Sequence, residues 1–443
     1  GQEEVLTGHK EFISAGDRIG DFTISGFYNH LENEGQAQSI ISTTEGSKLV
    51  ATGAADTVTG AYWGQPDVNG KTRVITGDRG LNINTTDLYS AKVAYDINPD
   101  LRAQFTVAFE DTEKISKGRS YLKDLAGNTL VSGKAIANGY EFDVNPTSYG
   151  DPSIRNSDNQ RETLMYGLNL SGKVNEDWDI DTTASFFDAY KDRTIQDNLD
   201  GKGLITETTV WWADYLAKMA TQSLFGNDDL GFMAGGQFNN SYLNVQQFES
   251  TNIASEAKGD LDGHNGGSTT TYSAFMQTDW WALDNLNVMA GVRYDHWASS
   301  RGTLEKVSIP DRDLSRVSPK FHISYTPVSD FNLKYSFSKA YRMPIAEELF
   351  DSSSNADVVN IGNPDLAPES GFFHDISLKY DLPEGYIRTT FFYNNIEDEI
   401  MRISTVLDTG KTKNRIRNID ESETLGIELV YNQDNILGFP FAL

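Results

Sequence analysis

The chain has 443 residues, of which 38% are hydrophobic, with a mean hydropathy of -0.46 and a formal net charge of -27. No segment approaches the roughly 18 consecutive apolar residues of a membrane helix, and the charge has the wrong sign for a nucleic-acid partner. There is no cysteine, so disulfide scaffolds and thiolate metal sites are excluded. Aromatic residues make up 11%, which suits either interfacial belts around a membrane barrel or an aromatic-rich soluble β-protein.

Taken in chain order, the predicted elements are strands with a side-chain period of two. Tyr89, Val93, Tyr95 and Ile97 oppose Ser90, Lys92 and Asp96, and the following run sets Leu101, Ala103, Phe105, Val107 and Phe109 against Arg102, Gln104, Thr106 and Glu110. Leu286, Val288, Ala290, Val292 and Tyr294 oppose Asn287, Arg293 and Asp295; Phe331, Leu333, Tyr335 and Phe337 oppose Asn332, Lys334, Ser336 and Ser338. Alternation alone does not say which face is covered, because a soluble sandwich shows it too.

Connection lengths do discriminate. Tight polar turns are predicted at 17–21, 97–101, 175–179, 226–230, 282–286, 326–330 and 381–385. They alternate with longer connections near 32–84, 112–160, 193–204, 250–268, 300–313, 342–370 and 405–411. In an up-and-down barrel this puts every short turn on one rim and every long loop on the other, as in outer-membrane barrels. The count is about 15 strands, several longer than the roughly 9–11 residues that cross a bilayer. Trp178, Trp280 and Trp281 lie beside short turns, and Trp211, Trp212 and Trp297 near long loops, the places expected of two aromatic belts. No repeat of fixed period and no linker divides the chain.

Two segments carry a family resemblance. NLKYSFSKAYRMPIAEELF (Asn332 to Phe350) and GNPDLAPES (Gly362 to Ser370) resemble the paired strand-and-loop motifs of TonB-dependent outer-membrane receptors. SPKFHISYTP, MAGVRYDHW, FFYNNIEDEI and TLGIELVY match in the family's order. The resemblance implies an all-β fold: a transmembrane antiparallel β-barrel in the bacterial outer membrane, with residues 1–443 forming one barrel domain. Family barrels have 22 strands and an N-terminal plug that engages TonB. The chain therefore reads as an incomplete barrel, with the plug absent and about five closing strands missing. No secretory signal is read in the opening GQEEVLTGHKEF. An open sheet with two long unpaired edges would be unstable in lipid.

The implied function is receptor-mediated, TonB-energised uptake of a scarce solute. The expected partners are the TonB complex through the plug, outer-membrane lipid and a small-molecule ligand, with an iron–siderophore complex as the first choice. Cobalamin, haem or oligosaccharide receptors, a passive porin and a soluble carbohydrate-binding or hydrolytic protein are the alternatives. No cofactor is expected.

Within the loops, Pro344, Pro364 and Pro368 with Gly362 fix a segment folding back over the barrel mouth. Tyr341, Arg342 and Asn363 are the candidate ligand or plug contacts, the guanidinium suiting an anionic chelate or the plug's carboxylates. The rest of that loop is acidic, with Glu347, Glu348, Asp351, Asp357, Asp365 and Glu369, and is no ready-made anion funnel. Asp260 and Asp262, with His264 and Asn265, form a loose oxygen-rich loop that could hold calcium but departs from EF-hand spacing. The bland alternative is a solvated Gly/Asp loop. The six histidines show no metal spacing, and no nucleophile elbow, P-loop or dinucleotide fingerprint is present. Asp179 and Asp181 share a strand face, where lumen charge explains them as well as acid catalysis does. An enzyme is not expected.

Overall fold

The computed structural model describes residues 6–35, 40–44, 56–66, 70–144, 154–199, 201–354, 358–406 and 412–433. One antiparallel meander dominates it. Its strands are β1 (Gly8–Ile19), β2 (Phe22–Gly35), β3 (Asn82–Asn98), β4 (Leu101–Lys117), β5 (Asn156–Lys173), β6 (Trp178–Asp197), β7 (Gly203–Thr221) and β8 (Leu230–Ser250). It continues through β9 (Leu261–Leu283), β10 (Leu286–Leu304), β11 (Arg312–Val328), β12 (Phe331–Arg342), β13 (Glu369–Leu382), β14 (Gly385–Val406) and β15 (Thr412–Gln433). Each strand pairs with the next in sequence. Among the described residues the long strands of this meander match the expected count of about 15. Among the described residues β1 and β15 do not pair with each other.

Long and short connections alternate as predicted along most of the meander, but β6–β7 and β14–β15 are joined by 198–202 and 407–411 alone, shorter than expected and shorter than the turn at 222–229. Three of the short turns are set locally by an Asn side chain that accepts the backbone N–H two residues on. Asn98 Oδ1 takes the Asp100 N–H at 2.9 Å, Asn175 Oδ1 those of Asp177 and Trp178 at 3.0 and 2.9 Å, and Asn227 Oδ1 that of Asp229 at 3.0 Å. Gly20 supplies the left-handed residue (φ 61°) of the β1–β2 turn.

The two faces of the sheet differ as the alternation requires. Val93 faces Phe105, Phe105 faces Leu168, Tyr335 faces Ile376, and Ile376 faces Phe391, so apolar residues run across neighbouring strands on one face. Phe105 (43% exposed), Leu168 (53%) and Phe391 (42%) lie open on it, while Val107, Leu333 and Phe337 are only half-covered by lateral neighbours. Apolar surface on this scale, with no protein against it, belongs in acyl chains. Near its long-loop end runs an aromatic row, Tyr28–Tyr89–Phe109–Tyr190, with centroid spacings of 4.8, 6.0 and 6.5 Å. The Tyr28 and Tyr190 hydroxyls donate to Asp87 and Glu162, both at 2.6 Å. Apolar bodies with polar tips suit an interfacial belt.

The opposite face is polar and self-satisfied. Arg293 donates to Asp295 (2.8 Å), Ser273 (2.7 Å) and Gln237 (3.1 Å), and Gln237 donates to Asp214 (3.0 Å). Asp181, one of the paired carboxylates, accepts Lys218 at 2.9 Å. This is the lumen wall.

Buried apolar clusters among the described residues lie in the long-loop region rather than within the sheet. One unites the connections after β2 and β4: Val58 and Val74 from the first pack with Leu122, Ala135, Phe142 and Val144 from the second. Short strands interlace the two connections, Asp56–Thr57 pairing with Lys134–Ala137 and Thr72–Asp78 with Arg119–Ser120. Asp78 joins them chemically, its carboxylate accepting Arg119 Nε (3.0 Å) and Nη2 (2.9 Å), the Tyr121 hydroxyl and the Gly80 N–H (2.6 Å). Burial pushes this carboxyl up, but these donors together hold it below the usual carboxylate range. Burial and the bond to Asp78 raise the Tyr121 phenol to about 12.

Candidate functional site

The segment after β12 supplies the second buried cluster and the mouth's principal cavity. Pro344 is fully buried and ends the strand. It leads into α1 (Ala346–Phe350), a short helix whose start is held by the Glu348 carboxylate accepting the Ile345 N–H at 3.1 Å. Ala346, Leu349 and Phe350 turn inward onto Trp297 of β10 and Leu366, with Leu243, Leu314 and Ile416 around them. Two glycines make room for the ring. A Cβ on Gly267 would lie 2.5 Å from Phe350 Cδ2, and one on Gly302 would lie 2.7 Å from its Cε1.

Polar bonds fasten the same segment. Arg342 donates from Nη1 to Glu348 (2.9 and 3.1 Å) and from Nη2 to Glu369 (2.8 Å), and Glu369 also accepts the Ile400 N–H at 2.8 Å. Arg312 donates to the Pro364 and Leu366 carbonyls, Asn363 to the Ile416 carbonyl at 3.2 Å, and Asn418 to the Ala367 carbonyl at 3.0 Å. The proline-rich loop is thus folded against the mouth.

The three residues singled out in sequence do not converge. Arg342 lies on the lumen side, engaged by two carboxylates rather than presented to an anion. Tyr341, one residue earlier, belongs to the opposite face, where Arg316 and Lys339 sit over its ring at 5.5 and 5.2 Å. Asn363 is a loop rivet lining a small cavity of about 200 Å³ with Arg415 and Arg417. Asp357 lies outside the described residues. Asp260 and Asp262 are exposed, and among the described residues no three His, Cys, Asp or Glu side chains gather as metal ligands. In the same loop Asn265 is a buried cross-link, donating to the Ser352 carbonyl (2.9 Å) and accepting the Glu305 N–H (2.7 Å). Trp297 corrects the belt reading: it is 1% exposed beneath α1. Trp212 stacks on Phe187 on the lumen side (5.8 Å, 10°), whereas Trp178 and Trp280 do share the apolar face.

Between α1 and the lumen face of β7 to β10 lies a cavity of about 650 Å³. Trp212, Leu243, Val245 and Trp297 form its apolar wall, Asn239, Ser241 and Thr271 its polar points, Met343 to Ala346 its roof. Glu347 and Asp351 are its charged lining residues. A smaller cavity of about 300 Å³ on the other side of α1 shares these two and adds Glu348 and Arg402. An apolar pocket with few polar points is the usual form of a small-molecule site. Sequence reasoning missed this wall because its residues come from four strands and meet only through register.

Comparison with known proteins fits this architecture. The family described as TonB dependent receptor-like, beta-barrel, matches residues 108–442. A stretch of 173 residues, 36% of this chain and 24% of the relative, is 27% identical to an iron-regulated outer membrane virulence protein of Vibrio cholerae serotype O1. Among solved structures, the copper transporter OprC superposes with a TM-score of 0.56 at 12% identity, over 97% of this chain and 59% of its own. The ferric yersiniabactin uptake receptor FyuA from Yersinia pestis gives 0.53 at 12%, over 97% and 57%. P. aeruginosa FpvA bound to a heterologous pyoverdine gives 0.56 at 13%, over 96% and 52%. The chain spans little more than half the length of these structures, and at such identities the likeness is one of fold. The lipid-facing sheet, the sorted loops and the family match over most of the length lead to one conclusion: the chain belongs to the TonB-dependent receptor β-barrel family of the bacterial outer membrane.

Proposed function

We propose that the protein takes up a scarce solute across the outer membrane in a TonB-energised step, most simply an iron–siderophore complex. The observation that carries this reading is the 650 Å³ cavity at the long-loop end, walled by lumen-facing strands and roofed by the fastened loop containing α1. A passive pore has no use for a loop tied down over an aromatic-walled pocket, whereas a receptor needs one to hold its ligand before transport. The iron-regulated relative favours iron as the cargo. By family likeness, TonB engages through a plug, and this chain contributes wall and outer loops. Tyr341, Arg342 and Asn363 act in this scheme by shaping the mouth; Arg342 holds α1 in place.

Uptake of radiolabelled iron–siderophore by cells producing the protein, with and without TonB, tests the proposal. Saturable accumulation lost without TonB is expected. Uptake linear in concentration and indifferent to TonB would instead establish a passive porin.

A further inference from the structure

We propose that the cavity between α1 and strands β7 to β10 receives a flat, apolar group bearing positive charge, and discriminates against the same group bearing negative charge. The inference rests on the receptor reading above and specifies the ligand chemistry of that site.

Trp212, half-buried, offers indole surface on the lumen wall, Leu243 and Val245 extend it, and the buried Trp297 backs it. Such a wall selects planar apolar groups and attracts cations through the ring quadrupole. At the rim the charges have one sign. Glu347 is exposed on α1, and Asp351 lies one turn on, its N–H bonded to the Glu347 carbonyl at 3.0 Å. Their neighbours Glu348 and Glu369 share the single cation of Arg342; among the described residues Glu347 and Asp351 have no ion-pair partner. Burial, then the charge of Glu347, push the Asp351 carboxyl above its usual range, with Arg402 on the far side of α1 opposing. A cation entering the cavity relieves that penalty, and an anion adds to it. The loop's own basic residue, Arg342, is spent on the fastening and leaves the rim acidic.

The test uses the protein in detergent micelles and two probes of one shape, 1-pyrenemethylammonium and 1-pyrenesulfonate, titrated by quenching of tryptophan emission. The cation is expected to bind on the order of tenfold more tightly, the scale of one screened charge contact. Glu347→Gln, at an exposed position, should reduce the ratio about threefold. Adding Asp351→Asn should bring it near one while uncharged pyrene still binds. Asp260→Asn, outside the cavity, should leave the ratio unchanged. Equal affinities for the two probes, preference for the sulfonate, or a ratio surviving Glu347→Gln would each overturn the proposal. Failure of TonB-dependent uptake in cells would overturn the transport reading and leave this charge preference standing; the reverse outcome would do the opposite.

Discussion

The seat of Phe350 allows a double-mutant cycle whose outcome follows from geometry. Phe350 is 1% exposed, and a methyl on Gly267 would press within 2.5 Å of its ring, with Trp297 and Leu349 closing the alternatives. Gly267 does not adopt a left-handed φ, so alanine there is opposed by packing alone. Gly267→Ala should cost about 1–3 kcal/mol by overpacking, and Phe350→Ala about 3–5 kcal/mol by cavity formation. With the ring gone the methyl has nothing to strike and partly fills the void. The double variant should therefore cost no more than Phe350→Ala alone, a coupling of about 1–3 kcal/mol. Hydrogen exchange reads this directly at the Leu349 and Asp351 amides, which bond the Ile345 and Glu347 carbonyls. Gly267→Ala should speed their exchange by roughly five- to a hundredfold. Simple additivity within about 0.5 kcal/mol would refute the packing argument.

Three other outcomes are expected. Arg342→Gln leaves Glu348 and Glu369 without their cation; discounted for the partial exposure of the guanidinium, opening of the α1 loop should become about 1–2 kcal/mol easier, read as faster limited proteolysis near 345–351. Phe391→Arg on the apolar face should impair folding into lipid vesicles by about 2–4 kcal/mol, and Thr390→Arg on the lumen face by well under that, measured by urea titration; equal costs would mean the faces are misassigned. The depressed carboxyl of Asp78 contributes stability that is complete above its unfolded pKa of about 3.9 and is lost as pH falls through the lower folded value. Exchange protection at Val74 and Leu122 should therefore hold down to about pH 4 and decline below it, and in Asp78→Asn that acid-dependent step should vanish.

The legible part of the molecule is the part governed by local rules. Strand period follows from alternating Cβ directions, and the tight turns at Asn98, Asn175 and Asn227 follow from side chains that bond their own backbone. Loop sorting then follows from meander topology. The mouth is governed by contacts between residues distant in sequence. Nothing near Gly267 announces Phe350, and Asn265 read as a calcium-loop residue because its partners, Ser352 and Glu305, lie in other loops. For Trp297 the alternation contained the answer, since it shares the parity of Arg293 and Asp295; nearness to a loop was the weaker guide. Arg342 illustrates the limit for charge: its sign was readable, but its neutralisation by Glu348 and Glu369 depends on how the chain folds back.

The interlaced connections after β2 and β4 have a consequence for how the outer surface responds to force or to a bound macromolecule. Since Thr72–Asp78 is hydrogen-bonded to Arg119–Ser120 and both connections fill one apolar cluster, neither can lift away while the other stays seated. Mechanically they are a single flap with four attachment points, at the ends of β2, β3, β4 and β5. A binder that grips either half therefore tugs on four neighbouring staves at once.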